Sequence, residues 1–251
     1  MDLGLAQRVY IVTGGGRGLG RATADLLVAE GARVVLSGRS QETLDVAASE
    51  LGENAVAVVG DNSDPDTAGR LVETAKETWG RLDGALISVG GPPTGTIMET
   101  PDEAWTSSFE SVFVGGLRVA RAVARAIDGP GSIAFVLSSS VKAPLPNLAI
   151  SNGLRPGLAM AAKTLADELG PRDIRVNGLL PGRVGTERVE ELDASTGDAE
   201  AARARAIATI PLGRYGEPEE FAAAAAFLLS PASSFVSGVM LPVDGGMLRS
   251  L

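Results

Sequence analysis

With 251 residues, the chain is long enough to bury most of its apolar surface in one α/β domain. Its net charge of −9 argues against a nucleic-acid partner, because phosphate binding requires a clustered positive field. The sequence has no apolar stretch near the ~20 residues of a membrane span, no signal-peptide pattern at its start, and neither cysteine nor histidine. We therefore expect a cytoplasmic protein without membrane contacts, disulfides, a bound metal or a thiol nucleophile.

Short β-branched runs alternate with longer helical stretches, which is typical of a parallel sheet covered by helices on both faces. The predicted strands are residues 8–12, 33–36, 56–59, 84–89, 132–137, 174–179 and 239–243. The predicted helical regions are residues 19–30, 40–51, 65–79, 101–127, 187–208 and 222–226. We predict a doubly wound α/β Rossmann fold with three layers, in one domain of residues 1–251 that carries a helical lid insertion at residues 183–210.

A glycine-rich segment, TGGGRGLG at residues 13–20, follows the first predicted strand and opens the first predicted helix. In that context the glycines let the backbone approach a pyrophosphate closely, and the helix N-terminus adds N–H donors and a favourable dipole. The alternative is a glycine turn without a ligand, which the strand–loop–helix context disfavours. The segment therefore predicts a dinucleotide site.

This motif and several later ones resemble the classical short-chain dehydrogenase/reductase family, in particular 3-oxoacyl-acyl-carrier-protein reductases, along nearly the whole chain. Thr13, Gly14, Gly18 and Gly20 match its TGxxxGxG pattern, and IRVN at residues 174–177, PG at 181–182, PLGR at 211–214 and VDGG at 243–246 match later signatures. The resemblance implies that Asp61 contacts adenine and that Thr186 holds the nicotinamide carboxamide. The cofactor-binding residues that it implies are Thr13, Gly14, Gly16, Arg17, Gly18, Leu19, Gly20, Arg39, Asp61, Asn62, Val89, Gly90, Arg155, Pro181, Gly182, Val184 and Thr186.

The residues at the end of the second strand favour NADP over NAD. An NAD enzyme usually carries an acidic residue there for the ribose hydroxyls, whereas this chain has LSGR at residues 36–39. Arg39 and Arg17 are both able to pair with a 2′-phosphate. The alternatives are that NAD is also accepted, or that both arginines are ordinary surface residues.

The family's catalytic tyrosine and lysine are missing. Alignment through the later motifs places Ser151 in the tyrosine position, Arg155 in the lysine position and Val112 in the position of a supporting asparagine. The family's serine corresponds to Ser138 or Ser139, and we expect Ser139 to face the pocket. The serine and arginine replacements resemble an atypical branch of the family that carries Ser-Asn and Arg where other members carry Tyr and Lys, whereas Val112 and Pro156 depart from that branch too.

These replacements change the chemistry that the pocket can perform. A serine hydroxyl is a weak acid, and losing a positioned general acid removes on the order of 10²–10⁴ in rate. Lys142 is a candidate proton donor, since desolvation beside Arg155 would lower its pKa, although an exposed loop lysine is the common outcome. The predicted catalytic residues are therefore Ser139, Ser151, Arg155 and Lys142.

Pro156 complicates the position of these residues, because a proline is tolerated in the first turn of a helix and costs about 3 kcal/mol inside one. We expect the helix either to begin near Pro156 or to kink there. If it begins there, Ser151 and Asn152 are turn or capping residues without an active-site role.

The leading functional hypothesis is an NADP-dependent oxidoreductase that acts on a small-molecule carbonyl or alcohol. A catalytically inactive nucleotide-binding or scaffold protein is the alternative, and reduction of an imine or activated double bond is a third. The family also implies a homotetramer or homodimer built from the long helices and the last strand. Small residues would allow such close packing, between subunits or within the chain: Gly115, Gly116, Ala159, Ala161 and Ala162.

Overall fold

A computed structural model describes residues 2–250 and contains a seven-stranded sheet in which every pair of neighbouring strands is parallel. The strands are β1 (Val9–Thr13), β2 (Arg33–Gly38), β3 (Ala55–Val59), β4 (Gly84–Ser88), β5 (Gly131–Val136), β6 (Ile174–Pro181) and β7 (Met240–Val243). Their spatial order is β3-β2-β1-β4-β5-β6-β7. The predicted doubly wound Rossmann fold is therefore confirmed.

Helices connect the strands and cover both faces of the sheet. They are α1 (Gly18–Ala29), α2 (Gln41–Leu51), α3 (Thr67–Trp79), α4 (Asp102–Ser108), α5 (Gly115–Ala126), α6 (Ala149–Leu169), α7 (Glu187–Ala194), α8 (Ala199–Ile207) and α9 (Pro218–Leu229). Between α4 and α5, residues Phe109–Val114 form a π-helical segment, so the single helix predicted there is irregular. Within residues 2–250, no helix is both long enough and apolar enough to cross a membrane.

The alternation of side chains along β1 divides the core in two. Val9 and Ile11 belong to a cluster that includes buried residues of α3, α5 and α6, whereas Tyr10 and Val12 belong to one with buried residues of α1 and α9. Successive strand residues point to opposite faces, so a sheet covered on both sides must be apolar at every position of its central strands. Tyr10 is 1% exposed, as its predicted place in the core requires.

The small residues on the long helices pack within the chain. A Cβ on Gly115 would overlap the Asn62 carbonyl oxygen. Gly116 faces the Leu158 side chain, and Ala159 and Ala162 are buried in the core. These four residues could pack between subunits or within the chain, and the structure supports packing within the chain. The oligomeric state stays a prediction.

Helix α6 begins seven residues before Pro156, so a helix start at the proline is wrong. Its first turns are fixed by Asn152, whose Oδ1 accepts a hydrogen bond from the Leu145 N–H (3.0 Å) and whose Nδ2 donates to the Leu145 carbonyl (2.8 Å). Pro156 lacks an N–H and so gives up one helical hydrogen bond. Ser151 and Asn152 consequently lie inside the helix rather than in a turn before it.

Replacing Phe135 by alanine tests the packing of the central sheet. Phe135 is 0% exposed in β5, so the substitution should lower the free energy of unfolding by roughly 3–5 kcal/mol. Val46→Ala on α2 is the control, since Val46 is 52% exposed and its truncation should cost about 0.5 kcal/mol or less. Urea denaturation measures both, and equal losses would contradict this account of the core.

Candidate active site

A large cleft opens at the carboxyl ends of the strands, where the chain turns in opposite directions after β1 and β4. In doubly wound sheets this reversal of strand order is the usual ligand site. The cleft encloses about 1640 Å³, whereas ~300–1,000 Å³ is common for a single small ligand. All of the predicted cofactor-binding residues line it: Thr13, Gly14, Gly16, Arg17, Gly18, Leu19, Gly20, Arg39, Asp61, Asn62, Val89, Gly90, Arg155, Pro181, Gly182, Val184 and Thr186.

The glycine loop has the tight geometry that close approach of a phosphate requires. Gly14 and Gly18 adopt positive φ angles of 65° and 56°, which favour glycine. At Gly20, an added Cβ would overlap the Gly14 carbonyl oxygen, so only glycine fits there. The first residues of α1, Gly18 to Gly20, line the cleft, and the start of a helix is a favourable place for an anion.

Two hydrogen bonds fix this loop to the neighbouring strand. Thr13 Oγ1 donates to the Ser88 carbonyl (2.7 Å) and accepts from the Ser88 N–H (2.9 Å). The ends of β1 and β4 are thereby joined at the mouth of the cleft.

Two arginines give the cofactor end of the cleft positive charge. Arg39 is exposed immediately after β2, and its Nη2 comes within 4.0 Å of the position of a Cβ on Gly90. The Arg17 side chain is 59% exposed, with its Nη1 3.8 Å from a Glu191 carboxylate oxygen, which is a weak pairing in water. Both side chains are thus available to an incoming phosphate.

Ser139 and Ser151 both line the cleft. Ser139 starts the short turn after β5 and is 2% exposed, and Ser151 is 6% exposed in the first turn of α6. The Oγ atoms of Ser151 and Ser140 are 3.1 Å apart, so the two hydroxyls share a hydrogen bond. Ser138 lines the cleft as well, with its Oγ accepting from the Ser140 N–H.

Arg155 is a buried cation without a carboxylate partner among residues 2–250. Its Nη1 donates to the Val136 carbonyl (2.6 Å) and its Nη2 reaches the Val89 carbonyl at 3.5 Å, whereas Nε has no hydrogen-bond partner. Burial lowers the pKa of Arg155 to about 10, so it is still charged at neutral pH. An unpaired buried charge is costly, which indicates a ligand that accepts hydrogen bonds or carries negative charge.

The remaining catalytic candidate, and the residue in the position of the supporting asparagine, are placed differently. Lys142 is exposed and its backbone N–H donates to the Ser139 carbonyl (3.0 Å), but it does not belong to the set of described residues that line the cleft, and its role as a proton donor stays a prediction. Val112 does line the cleft and is 3% exposed, inside the π-helical segment. Such segments are frequent at functional sites because they alter which side chains face inward.

A buried contact that the sequence did not indicate holds residues 183–210, the segment predicted to be a lid and called the lid segment below, to the body of the protein. Asp193 in α7 is 4% exposed and accepts hydrogen bonds from Arg183 Nη1 (3.1 Å) and the Tyr215 hydroxyl (2.8 Å). Arg203 in α8 stacks 4.3 Å from the centre of the Tyr215 ring. Burial and then Asp193 raise the pKa of Tyr215, which keeps this donor protonated.

Comparison with known proteins gives the family. The family model for enoyl-(acyl carrier protein) reductase matches residues 14–248. The chain belongs to the short-chain dehydrogenase/reductase family of oxidoreductases. The 3-oxoacyl-[acyl-carrier-protein] reductase FabG of Salmonella typhimurium is 30% identical over 96% of this chain and 97% of its own length. The L-rhamnose 1-dehydrogenase (NAD(P)(+)) of Azotobacter vinelandii is 32% identical over 98% of this chain and 99% of its own length.

Solved structures agree with this assignment over the full length. The L-sorbose reductase of Gluconobacter frateurii, solved with NADPH and L-sorbose, superposes with a TM-score of 0.93 at 32% identity and covers 100% of both chains. This neighbour supports the expectation of NADP as the cofactor.

Replacing Tyr215 by phenylalanine should loosen the lid segment, because buried Asp193 loses a hydrogen bond worth about 1–3 kcal/mol. We expect trypsin to cleave within residues 183–210 several-fold faster, at Arg203 and Arg205. Tyr10→Phe is the matched control: this second tyrosine donates from the core to the Leu229 carbonyl, away from the lid. Mass spectrometry of the digest reports the rate, and unchanged lid cleavage in Tyr215→Phe would contradict the assignment.

Proposed function

We propose that this protein is an NADP-dependent oxidoreductase that interconverts a carbonyl and an alcohol with a non-standard set of catalytic residues. The observation that carries the proposal is the placement of Ser139, Ser151 and Arg155 in the same cleft as the intact glycine loop. A scaffold without a ligand would gain nothing from burying the unpaired Arg155 guanidinium, which costs stability.

The residues present fit a dinucleotide phosphate. The backbone N–H groups at the start of α1 would hold the pyrophosphate, and Arg17 and Arg39 would pair with the 2′-phosphate. Asp61 would hold the adenine end, since its Oδ1 is already fixed by the Ser63 N–H and hydroxyl. Thr186, at the start of α7, and Arg155 would hold the nicotinamide half.

The chemistry divides between cofactor and protein. NADPH, when bound, supplies the hydride to the carbonyl carbon. The hydroxyls of Ser139 and Ser151 donate hydrogen bonds to the carbonyl oxygen, and Ser140 orients Ser151. Arg155 stabilises the negative charge that develops on this oxygen, as a fixed positive group does in a site shielded from water. Water supplies the proton, because Arg155 holds its own proton up to about pH 10.

Replacing Arg155 by methionine should stabilise the free protein and abolish tight NADPH binding. The lost bond to Val136 costs about 1 kcal/mol, less than the several kcal/mol of burying an unpaired charge. Because burial lowers the pKa of Arg155 to about 10, its guanidinium is charged below that pH, and the full cost of burying the charge lowers the stability of the folded protein there. As the pH rises above about 10, the buried guanidinium loses its charge and this cost is relieved. We therefore expect the free energy of unfolding of Arg155→Met at pH 7 to be roughly 1–4 kcal/mol higher than that of the unchanged protein. Urea denaturation measures this difference.

The matched control is Arg175→Met. Arg175 is also partly buried, but it donates hydrogen bonds to the Leu228 and Ser230 carbonyls and to Ser233 Oγ. Its loss should destabilise the protein without changing NADPH affinity. A destabilised Arg155→Met protein that binds NADPH normally would contradict the role given to Arg155.

Calorimetric titration with NADPH and NADH tests the proposed cofactor. We expect micromolar binding that prefers NADPH, and Arg39→Ala should weaken NADPH binding at least about 10-fold while changing NADH binding little, because only NADPH carries the 2′-phosphate. Binding of neither nucleotide would overturn the proposal. Tight binding without hydride transfer to any carbonyl, imine or enone would favour the alternative, a catalytically inactive nucleotide-binding protein.

A further inference from the structure

Ser108 differs from the two other serines on the wall of the cleft that α4 and the π-helical segment form. Ser107 Oγ donates to the Ala104 carbonyl (3.3 Å) and Ser111 Oγ donates to the Ser107 carbonyl (3.0 Å), so both have committed their protons within the helix. Ser108 also lines the cleft and is only 5% exposed, yet its hydroxyl has no hydrogen-bond partner within residues 2–250. Its proton and both of its lone pairs are therefore uncommitted.

A hydroxyl that is almost completely buried without a partner is unfavourable, because it has lost water and gained nothing in exchange. Native proteins keep few such groups, and those they keep usually bond an ordered water, a ligand or an ion. Alanine would avoid this cost and has the higher helix propensity. The serine at position 108 therefore indicates a small polar group that is held against this wall of the cleft.

Two packing contacts show which part of the protein Ser108 lies beside. A Cβ on Gly153 would lie 2.8 Å from the Trp105 indole, and a Cβ on Gly157 would lie 3.2 Å from the Phe113 ring. Ser108 lies between the two aromatic residues in the chain. The segment that contains it therefore runs along the part of α6 between the two glycines.

That part of α6 carries Arg155, which lines the cleft together with Ser151 and Ser108. The guanidinium of Arg155 only donates hydrogen bonds, and Ser151 Oγ already shares one with Ser140 Oγ (3.1 Å). Val112, four residues after Ser108, has no polar side-chain atom. Ser108 is thus the group on this wall that is able both to donate to a bound water and to accept from it.

We propose that Ser108 holds the water molecule that delivers the proton to the substrate oxygen. This inference rests on the proposed function and adds to it the group that positions the water. During reduction the carbonyl carbon gains a hydride as a new C–H bond, and the electron pair of the C=O bond moves to oxygen. One O–H bond of the water breaks as its proton forms the alcohol O–H bond. The remaining hydroxide accepts a hydrogen bond from Ser108 and takes a proton from solvent.

The Ser108→Ala variant tests this role, with the carbonyl compound that the unchanged protein reduces fastest with NADPH as substrate. We expect kcat to fall about 10- to 100-fold, because a positioned proton donor contributes on the order of 10²–10⁴ in rate and solvent replaces part of it. KM and the Kd for NADPH should change by less than about 2-fold, since the lost interaction acts in the transition state.

The matched control is Ser107→Ala, because Ser107 also lines the cleft but its hydroxyl is bonded to the Ala104 carbonyl. This control should leave kcat unchanged, and Ser108→Thr, which keeps the hydroxyl, should recover most of the lost rate. Equal losses in Ser108→Ala and Ser107→Ala would overturn the inference. A higher KM with unchanged kcat in Ser108→Ala would overturn it as well, because Ser108 would then contact the substrate itself.

The solvent isotope effect distinguishes proton delivery from packing. When the water is no longer held, proton transfer limits the rate, so the ratio of kcat in H₂O to kcat in D₂O should be larger for Ser108→Ala than for the unchanged protein. A variant that had lost only packing would be slower with an unchanged ratio. That result would overturn the role given to Ser108.

A crystal structure of the NADP⁺ complex reports on the water without any turnover. We expect an ordered water within about 3 Å of Ser108 Oγ, present in the unchanged protein and absent from Ser108→Ala. Turnover by the unchanged protein without such a water would overturn this inference and leave the proposed function intact. Binding of NADPH without reduction of any carbonyl would overturn the proposed function and the proton step together.

Discussion

The paired hydrogen bonds between Thr13 and Ser88 hold β1 and β4 together at the point where the chain turns in opposite directions. The connections that follow the two strands run toward β2 and β5, in opposite directions, and this divergence opens the cleft. The glycine loop lies on one side of this junction and the residues after Ser88 on the other. Every group proposed to bind or react is positioned relative to this fixed point.

A second constraint is the charge of Arg155, which the fold places under the cleft with backbone carbonyls as its only protein partners within residues 2–250. The protein thus gives up stability where it holds a ligand, a conflict that is common at functional sites. Ser151 lies one helical turn away on the same helix, so both groups reach the same region from one rigid element.

The sequence predicted the parallel sheet and the cofactor side of the cleft because glycine loops and β-branched strands carry strong local signals. The substitutions at Ser151 and Arg155 were visible through their spacing from later motifs. The course of α6 through Pro156 was not visible, since the contact that fixes its start joins Asn152 to Leu145 across a loop. Nor did the sequence indicate the contact of Asp193 with Tyr215, which joins residues 22 positions apart.

The π-helical segment Phe109–Val114 has a consequence for how this wall of the cleft tolerates insertions and deletions. On its N-terminal side, Trp105 packs so closely that a Cβ on Gly153 would lie 2.8 Å from the indole, and on its C-terminal side Gly115 fits against Asn62. A residue in a regular α-helix is rotated by about 100° from the one before it, so a change of one residue in length would turn one of these contacts away from its partner. The wider turn of the π-helical segment accommodates one additional residue without this rotation, so both contacts are kept. Homologues with a regular helix here should therefore differ in length, and the number of residues in this segment would be a more informative marker of related cleft shapes than their identity.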